Sequence, residues 1–120
     1  MRLFSTVLGG AVVMAATLSS TLILSGPVYA DVLKEGKAIA FDRRKGNCLA
    51  CHMIEDGALP GNQGPPLLAM KARFPDKEVL RAQIYDANVK NPQTVMPPFG
   101  KNRILTEEEL DKVVEYIYSL

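Results

Sequence analysis

The sequence has few residues that bind metals or form disulfides: its 120 residues include one histidine and two cysteines. A structural zinc site takes four cysteine or histidine ligands, so zinc would lack one here. A disulfide between Cys48 and Cys51 would close a very small loop and stabilise the fold little. A thioredoxin-type redox pair belongs to a βαβ pattern, and the sequence has no convincing strand pair. What remains notable is that Cys48, Cys51 and His52 fall within five consecutive positions.

The sequence also lacks an excess of either charge, with 14 basic and 13 acidic residues. Proteins that bind nucleic acids usually carry a basic patch, so this balance argues against a nucleic-acid partner. The length of 120 residues allows a single domain.

Long apolar runs are absent except near the N-terminus. Arg2 precedes an uncharged, largely apolar run from Val7 to Leu24, and Gly26-Pro27, which should break any helix, follows it. Val28-Tyr29-Ala30 then places small or tolerated residues at the positions that a signal peptidase recognises, so this layout is typical of a secretory signal peptide. We therefore predict a cleaved signal over residues 1–30, one domain over residues 31–120, a periplasmic location and no membrane contact after cleavage. The alternative is a retained anchor, because the run nearly reaches the roughly 18 to 20 residues that span a bilayer.

Residues 31–120 predict a small all-α domain with long loops. Apolar spacing and capping residues indicate a first helix over Val32–Phe41 with Asp31 as its N-cap, and a last helix after Thr106. A short helix is expected over Leu67–Phe74 and a middle one after Asp76. The residues expected to face inward in the middle and last helices are Val79, Leu80, Ile84 and Ala87, and Leu110, Val113, Val114, Ile117 and Tyr118. Two proline- and glycine-rich loops, residues 57–66 and 91–100, are long enough to suggest a function, here the enclosure of a cofactor.

Cys48-Leu49-Ala50-Cys51-His52 is the C-x-x-C-H pattern of c-type haem attachment. Two cysteines three positions apart at the start of a helix can each bond one vinyl group on the same edge of a porphyrin. The histidine that follows can then reach the iron. We predict one covalent haem c attached at Cys48 and Cys51, with His52 as an axial ligand.

The second axial ligand of the iron must come from another residue type, because no other histidine or cysteine exists. Met53 adjoins His52 and cannot easily reach the opposite face of the haem, and Met70 lies in an apolar stretch where core packing explains it. Met96 precedes Pro97-Pro98 in a rigid loop, which suits a segment lying against an apolar ring. We predict Met96 as the sixth ligand, with the raised reduction potential that thioether ligation gives an electron carrier.

Gly64-Pro65-Pro66 forms a turn that follows the haem motif. Histidines that bind metals almost always donate their second N–H to a carbonyl or carboxylate, and the Pro65 carbonyl could accept from His52. An ordinary surface turn explains the same residues equally well.

These features together resemble class I cytochromes c over residues 31–120. The matching elements are Gly36 with Phe41, the C-x-x-C-H motif, the Gly-Pro turn, the loop methionine and residues 113–117. The resemblance implies an all-α domain wrapped around one covalent haem, in which the first and last helices cross at Gly36 and Tyr116 packs at the crossing. The family usually places an aromatic residue four positions after the glycine, where this sequence has Ala40.

The residues around these motifs resemble more closely those of the SoxX family, the small cytochrome subunits of the bacterial sulfur-oxidation system. The resemblance rests on residues 45–52, 61–67 and 95–100. It implies a complex with a larger SoxA-like cytochrome of one or two haems, an L-cysteine S-thiosulfotransferase that oxidatively joins thiosulfate to a cysteine of a SoxYZ carrier. Catalysis would lie on the partner, this chain would hold no catalytic residue, and electrons would pass to a soluble cytochrome c.

Two other functions remain open. A free periplasmic cytochrome c could serve an oxidase or another dehydrogenase, although such carriers often use a field of one sign and this sequence is balanced. A haem-based sensor would need an open sixth site, and therefore a Met96 that does not bind iron.

Overall fold

The computed structural model describes residues 26–120, which form four α-helices joined by irregular loops. The helices are α1 (Gly26–Phe41), α2 (Met70–Arg73), α3 (Lys77–Tyr85) and α4 (Glu107–Tyr118), with 3₁₀ turns at Cys48–Ala50 and Ala87–Val89. No strand occurs in residues 26–120, so the all-α prediction is confirmed. Most of the predicted signal peptide, residues 1–25, lies outside the described residues, and its cleavage stays a prediction.

Helix α1 begins earlier than the sequence indicated. It already includes Gly26, where the described part of the chain begins, so Asp31 lies inside the helix and is not its N-cap. The prediction that Gly26-Pro27 ends a helix in the preceding apolar run concerns residues outside the described part of the chain, and it stays a prediction. Nowhere between residues 26 and 120 does a helix combine the length and apolar character that a membrane crossing requires.

Helices α1 and α4 form the most extensive helix–helix contact of the described chain. They cross at Gly36, where an added Cβ would overlap the backbone carbonyl of Lys112 and lie 2.9 Å from the Cβ of Tyr116. Phe41 packs edge-on against Tyr116, with ring centroids 6.1 Å apart, and Ala40 is fully buried beside it. The expected crossing is therefore present, and Phe41 supplies an aromatic partner one position later than usual in the family.

Helix α4 starts with the predicted capping box. The Thr106 hydroxyl accepts from the Glu109 N–H, and the Glu109 carboxylate accepts from the Thr106 N–H. One face of the helix is buried through Leu110, Val113, Val114, Tyr116 and Ile117. Tyr118 is only half-buried, and its hydroxyl donates to the Pro75 carbonyl.

The middle of the chain contains two shorter helices. Asp76 caps α3 by accepting from the Glu78 N–H, as predicted. Leu80, Ile84 and Ala87 are buried, but Val79 is 42% exposed, so its inward assignment was wrong. Helix α2 is shorter than predicted, Met70–Arg73, since left-handed Ala69 precedes it and Pro75 restricts the backbone of the residue before it.

Candidate haem site

The C-x-x-C-H segment folds as one 3₁₀ turn, not as the start of an α-helix. Asn47 enters the turn in a left-handed conformation, with φ of 47°. The N–H groups of Cys51 and His52 both donate to the Cys48 carbonyl, at 3.2 Å and 2.9 Å. The turn therefore places both sulfurs and the imidazole next to one cavity, whose lining includes all three residues.

The His52 ring has a defined hydrogen-bond partner and orientation. Its Nδ1 lies 2.7 Å from the Pro65 carbonyl oxygen. A carbonyl only accepts, so Nδ1 carries the proton and Nε2 keeps its lone pair free for a metal. The Gly64-Pro65-Pro66 turn therefore holds the imidazole in place. This decides between the two interpretations of the turn that the sequence allowed, a support for His52 and an ordinary surface turn.

A second strip of chain braces the haem motif through backbone hydrogen bonds. Residues 61–67 run beside residues 49–53. Three N–H groups of residues 61–67 donate to three carbonyls of residues 49–53 at 2.8 Å: Gly61 to Leu49, Gly64 to Cys51, and Leu67 to Met53. At Gly64 an added Cβ would overlap the His52 ring. The imidazole therefore rests directly on the backbone, which only glycine permits.

The cavity beside this motif has a volume of about 610 Å³, within the range of cofactor sites. Apolar side chains form much of its wall, and Cys48, Cys51, His52 and Met96 all border it. Other apolar residues of the wall include Leu67, Met70, Phe74, Leu80, Ile84, Val95, Phe99, Ile104, Val113 and Ile117. Size, apolar lining and donor set fit one haem.

The three methionines of the described chain occupy different environments. Met53 is 46% exposed and does not border the cavity. Met70 belongs to the buried core, and its sulfur lies 3.4 Å from an Arg73 guanidinium nitrogen. Met96 is half-buried at the cavity wall, and its N–H donates to the Thr94 hydroxyl. Met70 also borders the cavity, so its burial agrees with core packing without deciding between the two methionines, and iron binding by Met96 stays a prediction.

Comparison with known proteins assigns the family. A sequence profile of the family described as "Cytochrome C oxidase, cbb3-type, subunit III" matches residues 32–117. The chain belongs to this family of cytochrome c domains. The cytochrome is also 32% identical over 97 residues to an uncharacterized lipoprotein of Aquifex aeolicus (strain VF5). That similarity covers 78% of this chain and 47% of the relative, so the chain spans about half the relative's length.

Family membership means that the cytochrome carries haem c and transfers electrons. Thioether attachment needs cysteine, and Cys48 and Cys51 are the only two that the sequence offers. When bound, the haem takes up or releases one electron as its iron changes between the ferrous and ferric states. The chain contributes an imidazole fixed by the Pro65 carbonyl, an apolar wall that limits solvent, and a half-buried thioether at Met96.

The Cys48 thiol lies at the cavity wall and is partly buried. Burial raises the pKa of this thiol to about 11.

The charged residues at the cavity of the cytochrome are all basic. Arg43, Arg44, Lys45 and Arg73 border it, and no carboxylate does among the described residues. Arg44 pairs with Asp42 and Lys45 with Glu109, whereas Arg43 and Arg73 have no ion pair within residues 26–120. Overall charge balance concealed this asymmetry, although the run Arg43-Arg44-Lys45 just before the haem motif was a visible signal.

Proposed function

We propose that this cytochrome is a periplasmic one-electron carrier whose iron is bound by His52 and Met96. The observation that carries the proposal is the 2.7 Å contact between His52 Nδ1 and the Pro65 carbonyl, which leaves Nε2 as the metal-binding atom. Met96 complements it as the methionine that borders the same cavity without belonging to the buried core. Thioether ligation would close the sixth site and favour electron transfer over gas binding.

Three matched variants test the ligation. Met96→Ala should abolish the long-wavelength sulfur-to-iron absorption band of the ferric protein and allow carbon monoxide to bind the reduced protein readily. Met53→Ala removes an exposed methionine and Met70→Leu replaces a core one, so both should keep the band. Retention of the band in Met96→Ala would exclude Met96, and rapid carbon monoxide binding by the wild-type protein would favour a sensor.

We further propose that the carrier is the haem subunit of a thiosulfate-oxidising complex of the SoxXA type. The support is the sequence resemblance in residues 45–52, 61–67 and 95–100, together with exposed apolar residues beside these segments. Leu59 is 98% exposed just before Gly61, and Val95, next to Met96, is 73% exposed. Exposed apolar side chains such as these suit a lasting contact with a larger SoxA-like cytochrome, which would hold the sulfur chemistry.

A second candidate is a diffusible carrier that delivers electrons to an oxidase. The observation that favours it is the basic cavity border, which would steer an acidic partner toward the haem and make the reaction salt-dependent. The family description names an oxidase subunit, and the relative is a lipoprotein, consistent with work outside the cytoplasm.

One purification separates the two candidates. The tagged cytochrome is isolated from its native periplasm at low and at moderate salt, and the chains that accompany it are identified by mass. A larger c-type cytochrome in equal amount at both salt concentrations, together with thiosulfate-dependent reduction, supports the SoxXA-type subunit. A lone cytochrome supports the diffusible carrier if its electron transfer with an acidic partner slows in Arg43→Glu. The control is Arg103→Glu, which changes an exposed arginine that does not border the cavity and should leave the rate unchanged.

A further inference from the structure

Asp86 is the one buried charged residue of the described chain, with 8% of its surface exposed. It lies where α3 ends and the Ala87–Val89 turn begins, outside the cavity wall. A buried carboxylate is costly unless it is paired and hydrogen-bonded, so its presence calls for an explanation that haem attachment does not supply.

Both carboxylate oxygens of Asp86 are satisfied. Oδ1 accepts from the backbone N–H of Asn88 at 3.1 Å and from its side-chain amide at 2.9 Å. Oδ2 accepts from Lys101 Nζ at 2.8 Å. The Lys101 hydrogen bond is the main cause that holds the pKa of Asp86 below its ordinary value, so the pair is fully charged at neutral pH.

Two backbone hydrogen bonds lie beside this ion pair. The N–H groups of Gly100 and Lys101 both donate to the Tyr85 carbonyl, at 3.1 Å and 3.2 Å. Gly100 packs so closely on the Tyr85 ring that an added Cβ would overlap it. Residues 85–86 and 100–101 are therefore joined at three points, and residues 87–99 form a closed loop between them.

This closed loop contains Met96. Within it the Thr94 hydroxyl accepts from the Met96 N–H at 3.1 Å, and residues 94–97 border the haem cavity. We propose that the Asp86–Lys101 pair is a latch that positions Met96, so that its strength sets how often the sixth coordination site opens. The inference rests on the proposed ligation by Met96.

The physical reason lies in the weakness of the ligand. A thioether is neutral and sits on a flexible side chain, so its binding to iron depends on a loop that keeps the sulfur in place. Opening that loop must break the Asp86–Lys101 pair, and a hydrogen bond between charged groups corresponds to about tenfold or more in an equilibrium constant. Asp86 and Lys101 are thus positioning residues that touch neither iron nor substrate.

Imidazole binding to the ferric holo-cytochrome tests the latch, because imidazole occupies the sixth site only when Met96 has left. Lys101→Gln and Asp86→Asn should each bind imidazole about tenfold more tightly than the wild-type protein. Lys101→Arg keeps the positive charge and should bind imidazole with the wild-type affinity. Lys77→Gln is the matched control, since it removes the Lys77–Glu115 pair between α3 and α4 and should leave the affinity unchanged.

The outcomes are distinct. Wild-type imidazole affinity in Lys101→Gln, a folded variant at a largely exposed position, would overturn the latch even if its global stability fell. An equal gain in Lys77→Gln would also overturn it, because general destabilisation would then explain the effect. If Met96→Ala keeps both the long-wavelength band and wild-type imidazole affinity, the ligation itself is wrong and the latch falls with it.

Discussion

Replacing Gly36 with alanine tests how closely α1 and α4 approach. Alanine would favour an isolated helix by about 1 kcal/mol over glycine. The added Cβ would, however, overlap the Lys112 carbonyl and crowd Tyr116. Overpacking costs about 1 to 3 kcal/mol, and the upper end applies because backbone atoms yield only if the helices separate. We therefore expect Gly36→Ala to lower the free energy of unfolding by about 2 kcal/mol after the helix gain is subtracted.

Denaturant unfolding of the holo-cytochrome, followed by circular dichroism, measures this change. For a domain of this size it corresponds to a fall in Tm of about 10 °C. Ala38→Gly is the matched control, because Ala38 is an exposed residue of α1 and its replacement should cost only the helix term of about 1 kcal/mol. A Gly36→Ala variant as stable as the wild-type protein would refute the close crossing.

Three further substitutions probe the site and the core. Tyr116→Phe removes a buried hydroxyl that has no hydrogen-bond partner in the described chain. The free energy of unfolding, measured in denaturant, should rise by about 1 kcal/mol, and a fall would show that the hydroxyl has a partner. Gly64→Ala should reduce the yield of holo-protein, measured as Soret absorbance per chain, because its Cβ would overlap the His52 ring, and a normal yield would contradict this packing. Arg73→Gln should lower the reduction potential measured by spectroelectrochemistry, because a positive charge at the cavity favours the ferrous state. Arg73→Lys keeps the charge and should leave the reduction potential close to that of the wild-type protein.

The local signals in the sequence predicted the parts of the fold that they control. The Thr106–Glu109 capping box and the Asp76 cap appear as expected, since each is satisfied within one helical turn. The Gly36 crossing followed from family resemblance, and its cause, a backbone carbonyl of α4 against the glycine, required the structure. The Asp31 N-cap was wrong, because a capping residue type alone does not end a helix and α1 continues on its N-terminal side to Gly26.

Features that depend on distant parts of the chain were not predictable. The sequence left the Pro65 turn undecided, because only the folded loop shows its carbonyl 2.7 Å from His52. Nothing in the sequence distinguished Asp86 from the other acidic residues, since its burial depends on Lys101, fifteen positions later. The basic cavity border was only partly predictable, because Arg43-Arg44-Lys45 precede the haem motif in the sequence, whereas only the fold brings Arg73 to the cavity.

The two proposed iron ligands are held by different means, which predicts the order in which they are lost. His52 belongs to a segment tied to residues 61–67 by three backbone hydrogen bonds and bonded to haem on the same turn. Met96 depends on a loop closed by one ion pair and two hydrogen bonds to Tyr85. Regions with fewer fixed contacts open at lower free energy than the core. In rising denaturant we therefore expect the sulfur-to-iron band to disappear before the helical circular dichroism, and Lys101→Gln to widen the interval. Coincident transitions in both proteins would show instead that the Met96 loop unfolds only with the α1–α4 core.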